Sequence, residues 1–303
     1  VTSQGPQTDG RNRSRPGRAR TQARALLRAV GLMADGQIDL AEAALALSVL
    51  SGGEGALAPY RRHLAAIAAA VGRRVAKGGG QAPASLALED CLDALRVVLV
   101  DRMGYEGDST TYEDLQNANL ARVIDRRRGL PVALGILYIH AARAQGWDMV
   151  GLNFPGHFLI RLDHGGERAI IDPFGGGRTL SVVELRDLIK QTSGTAAELE
   201  PDHYAPVGNR DVLLRLHNNV KLLHMRADRP DLAAEAVEAM LLMAPGQVAL
   251  WRESGLLRAQ LGHISTAITA FETFMDLGTR AGTPAQLLHQ AATLVQHLRN
   301  RLN

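Results

Sequence analysis

Apolar positions recur along this chain first at helical spacing, then briefly at every second residue, then at helical spacing again. Thr21 to Ala34, Asp39 to Leu50 and Pro59 to Val75 read as helices, with Gly36 between the first two and Asp39 available as a cap. The Gly-rich 52–55 segment ends the second, and GGGQAPAS at 78–85 reads as a flexible linker. The span Leu86 to Met103 places Leu88, Cys91, Leu92, Leu95, Val98 and Leu99 on one stripe, which makes Cys91 a packing residue. A polar loop, YEGDSTTY, then leads to a helix carrying Asn117 and Asn119, whose simplest role is capping.

Residues 126–177 form the stretch around which the rest is arranged. Gly129 breaks the chain, Pro131 suits a first helical position, and an almost wholly apolar run from Val132 to Ala144 ends at Gly146, so a buried helix is expected. HFLIRL and RAIIDPF follow as strands of a hairpin, separated by Asp163, His164, Gly165 and Gly166. A regular register centred between His164 and Gly165 puts His157 directly across from Asp172, within hydrogen-bond reach directly or through one water, where the carboxylate would orient the imidazole and raise its pKa. Gly156 would let the backbone turn so that His157 enters a cleft. Arg161 and Arg168 fall on the same face, as solvated charge or as holders of an acidic ligand group. Arg126, Arg127 and Arg128 read as a solvated surface, or as an anion site ahead of the helix. GGGRTLS after Asp172 is a tight turn into a helix from Ser181, with Glu184 completing a capping box.

A helix start facing a His-Asp pair is where a cysteine nucleophile would work. Here Leu130, Pro131, Val132 and Ala133 occupy it, without thiol or hydroxyl.

From Arg210 the pattern is helical with a period of 34: Ala233 and Ala267 share the small-residue position of a tetratricopeptide second helix, while Trp251, Gly255 and Phe271 fit its Trp, Gly and aromatic positions. Such helix pairs either bind peptides or brace a core.

Composition adds bounds. With 46 % hydrophobic and 21 % charged residues the 303-residue chain is an ordinary globular one, long enough for two domains. No apolar run reaches the ~20 residues of a membrane span, and the N-terminal stretch lacks the apolar region of a secretory signal. The first residue is Val rather than Met, which fits a trimmed or GTG-derived start. One cysteine is compatible with a reducing cytoplasm. The formal charge of +3 comes from residues 1–24, where six arginines against Asp9 give +5 and leave about −2 for the remainder; this reads as a disordered basic tail, with an arm for nucleic acid as the sharper alternative. The ten histidines show no metal-ligand spacing, and no cofactor is expected.

Four motifs in order, NANLARVIDRRRGLPVALGILY, NFPGHFLIR, IIDPFGGG and RDVLLRLHNNVK, resemble the SirB-type family across roughly residues 37 to 278. The resemblance implies an α+β chain: a helical N-terminal part, a transglutaminase-like (papain-like) core with a small antiparallel sheet over 25–209, and C-terminal tetratricopeptide-type helical repeats over 210–303. It matches His157 and Asp172 to the His and Asp of a Cys-His-Asp triad and puts Pro131 near the missing Cys. The family usually reads Gly-Ile-Pro-Ile-Ser-Leu at this place, so Ala133 replaces even that serine. Asn117 matches the first Asn of the family's Asn-Ser-Tyr-Leu segment, and Glu42 falls where the family often has an acidic residue. Cleft candidates are therefore Asn117, Pro131, Ala133, Gly156 and Arg161 around His157 and Asp172. Two functions follow: a non-catalytic scaffold or regulator that binds a protein or peptide, or an amide-bond hydrolase or acyltransferase with His157 as general base and Asp172 orienting it.

Overall fold

The computed structural model describes residues 15–52, 56–77 and 86–301. The 78–85 linker and residues 1–14 of the tail reading lie outside these. Four N-terminal helices, α1 (Arg15–Leu32), α2 (Leu40–Leu50), α3 (Ala58–Lys77) and α4 (Leu88–Arg96), come first, and a π-helical segment, Val97–Arg102, extends the last. Asp39 caps α2 by accepting the Glu42 N–H at 3.0 Å, as its position predicts. The disordered-tail reading is corrected for residues 15–24, where the chain is helical from Arg15; Arg20 and Arg24 reach Glu235 and Glu238, at 3.1 and 3.5 Å.

Asn117 lies in a 3-10 turn rather than a helix, and Asn119 caps α5 (Leu120–Arg126) by accepting the Arg122 N–H. The central helix α6 (Pro131–Arg143) starts with Pro131 at its first position, and Val132 to Ile139 are buried all round. Gly146, at φ +78°, turns the chain out of it.

Two-residue strands β1 (Glu106–Gly107) and β2 (Arg128–Gly129) pair in parallel beside α6. The main sheet holds β3 (Asp148–Leu152), β4 (Ile160–His164), β5 (Glu167–Asp172), β6 (Arg178–Thr179) and β7 (Pro206–Val207) in the order β6-β5-β4-β3-β7, antiparallel throughout. The β4-β5 hairpin closes on Gly165 and Gly166 alone, both at positive φ, so Asp163 and His164 stay in the strand opposite Arg168 and Glu167. Two glycines take up the left-handed backbone of a tight turn without a Cβ clash, which is why the turn settles there, one residue later than expected. One sheet face, with Met149, Ile160, Leu162 and Ile171, packs on α6. The other, with Leu152 and Leu159, packs on α7 (Val182–Ser193), whose Ser181–Glu184 capping box forms as read.

Helices α8 (Asn209–Arg226), α9 (Pro230–Met243), α10 (Val248–Gln260), α11 (Ile264–Arg280) and α12 (Ala285–Asn300) complete the chain as successive hairpins. Gly255 admits the Phe271 ring, which a Cβ would meet at 2.7 Å. Trp251 is half-buried, bridging two apolar clusters and donating its indole N–H to the Pro245 carbonyl at 2.8 Å. No break in the core falls at 209: Val212, Leu213, Leu216 and Val220 of α8 and Ala239 of α9 belong to the same cluster as α6.

Candidate functional site

At the start of α6, Leu130 and Val132 are buried, Ala133 is 0 % exposed and only Pro131 is partly accessible. Ala133 therefore lines no open cleft. The surface here is a proline ring with no N–H, no hydroxyl and no thiol.

His157 lies in the loop between β3 and β4, not in a strand. The shift of the turn moves the register by two residues, so Asp172 projects opposite position 159 and the expected direct His157–Asp172 pairing is lost. A shift of two keeps the side-chain alternation, which is why the two remain electrostatically coupled. Among the described residues no hydrogen bond joins them. The Asp172 carboxylate instead accepts the Phe174 N–H at 2.9 Å, holding the turn of Gly175 to Gly177, and lies 3.8 Å from Arg178. The expected rise in the His157 pKa is also reversed: burial and the nearby Arg215 outweigh Asp172, and the ring is held below its ordinary 6.5.

The His157 loop is set by its neighbours. Gly156 has φ +70° and lies so close to Thr192 that a Cβ would meet Thr192 Cγ2 at 2.0 Å. Arg215, reaching from α8, donates to the carbonyls of Phe154, at 3.2 Å, and of His157, and lies 5.4 Å over the Phe158 ring. The sequence reading assigned Arg215 no role, although it stands in the quoted RDVLLRLHNNVK motif. Tyr138 was missed too: its hydroxyl is buried without a partner against Gly177, in the turn after Asp172.

The other candidates are engaged in structure. Asn117 is buried, donating to the Thr111 carbonyl at 2.6 Å and accepting from Arg126 at 2.9 Å. Arg161 donates to Asp163 at 2.7 Å and to the Tyr204 carbonyl, while Arg168 lies 3.7 Å from the same Asp163, so that carboxylate takes the place expected for a ligand. The solvated-surface reading of the arginine run fails for two of its members. Arg126 pairs with buried Asp108 at 2.9 Å; the Thr111 hydroxyl and N–H, with Asn117 and Arg126, hold that carboxyl well below the usual range. Arg127, at φ +62°, contacts Tyr105 and His63, and Arg128 pairs with Glu106 at 2.6 Å. Glu42 is taken up by Arg61, at 2.9 Å. Cys91 is 0 % exposed in the core, and burial pushes its thiol up to about 11. Among the described residues no group of three or more His, Cys, Asp or Glu could hold a metal ion, and no helix is long and apolar enough to cross a membrane.

A buried helix facing a small antiparallel sheet, with histidine and aspartate on neighbouring chain segments, defines a transglutaminase-like core joined to helical repeats. Comparison agrees: residues 58–218, just over half of the chain, match the transglutaminase-like superfamily, and 220–296 match the tetratricopeptide repeat. The chain belongs to the transglutaminase-like superfamily, with the repeat architecture that the SirB-type resemblance implied. It is similar to the UPF0162 protein of Xylella fastidiosa (35 % identity over 190 residues, 61 % of this chain and 66 % of the relative). The Vibrio cholerae UPF0162 protein is 31 % identical over 174 residues, 57 % of this chain and 64 % of the relative. F-box only protein 21 of Mus musculus is 33 % identical over 170 residues, 52 % of this chain and 26 % of that protein. This chain thus spans just under two thirds of the bacterial relatives' length. No solved structure matches it.

Proposed function

We propose that this protein is a non-catalytic, cytoplasmic protein-binding or regulatory scaffold, built on a degenerate transglutaminase-like cleft and a short tetratricopeptide-type array. The observation that carries the reading is the start of α6: it offers Pro131 in place of a nucleophile, while Cys91 is buried as a neutral thiol. Without that nucleophile the covalent step of acyl transfer has no acceptor. Asp172 is committed to its own turn, which also argues against a working triad. The repeat match supports a protein or peptide as the partner. Nucleic acid is not an expected partner except through the basic N-terminal segment.

One observation favours the alternative, a hydrolase using His157 as general base. Its ring is half-buried and, with its pKa lowered, neutral at pH 7, ready to take a proton from water. The test is incubation of the full chain and of His157→Ala with peptide amides, esters and a primary-amine acyl acceptor. The scaffold reading expects equal background rates from both. Turnover that His157→Ala abolishes would refute it. Partner capture should use the full chain, because truncation after residue 209 would strip Leu213 and Leu216 from the shared core.

A further inference from the structure

A pocket of about 380 Å³ opens where α1, the end of α2, α8 and α9 meet. It is separate from the His157 cleft: Arg215 holds the His157 loop while His217 lines the pocket, and two residues on one helix point about 200° apart. Its size falls within the roughly 300–1,000 Å³ of small-molecule sites.

His217 is 2 % exposed, and its ring makes no hydrogen bond with any described residue. Burial keeps it neutral at pH 7, so one ring nitrogen carries a donor with nothing to meet it. Among the described residues the fully enclosed unpaired groups belong to Tyr138, Trp147 and His164; the His217 ring is not one of them, so its donor is reached from the pocket it lines, where an acceptor on a ligand would meet it. His224, two turns further along α8, lines the same wall.

The opposite wall is α1, where Arg20 and Arg24 stand one turn apart with 44 % and 37 % of their side chains exposed. Arg20 is occupied by Glu235, at 3.1 Å, and by the Leu50 carbonyl, at 3.3 Å, which covers the negative end of α2. Arg24 is less committed: it reaches Glu238 only at 3.5 Å, and Arg258 already holds that carboxylate in close contact. Among the described residues two guanidiniums stand against one lining carboxylate, Glu235, which leaves a positive balance. The remaining lining is apolar, with Leu50, Val220, Leu232 and Ala236.

We propose that this pocket binds a small organic carboxylate, its anionic end on Arg24 and His217 and its hydrocarbon body on the apolar lining. An amine would meet two guanidiniums. A bare phosphate would leave the apolar lining unfilled.

The test follows the histidine ring resonances of the full chain by NMR at neutral pH, while hexanoate, hexylamine or inorganic phosphate is added. His217 and His224 should shift saturably with hexanoate, and the apparent Kd should weaken ~10-fold or more in Arg24→Gln, since a charge-assisted pair is lost. Hexylamine should leave both rings unmoved. No saturable shift below about 10 mM hexanoate, a threshold near the weakest specific affinities, would overturn the proposal. So would a response to hexylamine or phosphate that matches hexanoate, or an unchanged Kd in a folded Arg24→Gln. The wild-type titrations decide the matter even if that variant does not fold.

Discussion

Gly135→Ala sets two opposing effects against each other at the centre of the fold. In the interior of α6, alanine gains about 1 kcal/mol over glycine in helix propensity. At this position, however, the added Cβ would stand 2.5 Å from Phe158 Cε1 and 3.3 Å from Ile160 Cγ2. Ordinary carbon contacts lie at about 3.5–4.0 Å, so the ring must move by about 1 Å. It has no room to do so. A Cβ at Gly151 on β3 would stand 3.0 Å from Cζ, the ring atom next to Cε1, so two glycines make room for this end of the ring, and Arg215 lies over it. Overpacking of this kind costs typically ~1–3 kcal/mol, and an overlap of about 1 Å with a confined ring belongs in the upper part of that range, ~2–3 kcal/mol, which leaves a net loss of about 1–2 kcal/mol after the propensity gain. Urea unfolding followed by circular dichroism should show a lower midpoint at unchanged slope. Because Phe158 adjoins His157, the His157 ring resonance should shift as well. A midpoint equal to or above wild type would refute the reasoning and show that the slot can widen.

Arg215→Gln should raise the His157 pKa, because it removes a nearby positive charge and loosens the loop that buries the ring; an NMR titration of wild type and variant checks it, and an unchanged or lower value is the contrary result. His217 is held at about 4 against 6.5 when exposed, so the unfolded chain takes up its proton first and the stability tied to the neutral ring is lost as pH falls from 6.5 through 4. That loss is about 3 kcal/mol, and His217→Leu should flatten this part of the acid limb in urea unfolding run across that range. Cys91 should resist iodoacetamide in the folded chain and react on unfolding, and fast labelling of native protein would contradict its burial. Trp251→Ala should cost about 2–3 kcal/mol by thermal or urea unfolding, below the value for a fully buried indole, since the ring is half-buried yet bridges two clusters.

The order of elements was legible in the sequence wherever a local signal acts within one turn of chain. Pro131 at the start of α6, Gly146 beyond its end, the Ser181–Glu184 box and the Asp39 cap act through backbone groups three or four residues away, and each lies where its neighbours place it. The period of 34 carried Gly255 and Phe271 into contact because a repeat fixes a distance in space. The tertiary structure decided what depends on distant partners. Short strands β3 and β7 exist through their neighbours in the sheet, and the two-residue register shift came from which glycines closed the turn. The part of the basic segment from Arg15 is helical because α1 finds α9, where Gly31 lets the backbones approach so closely that a Cβ would stand 2.4 Å from the Leu242 carbonyl oxygen. Domain limits drawn from repeat spacing did not divide the core, since α8 buries Leu213 and Leu216 against elements far earlier in sequence. The same long-range packing brought Arg215 to the His157 loop and turned the expected rise of the His157 pKa into a fall. Local sequence carries the backbone hydrogen bonds within a turn; burial and charge at a site sum over everything that folds against it, and only the assembled chain sets that sum.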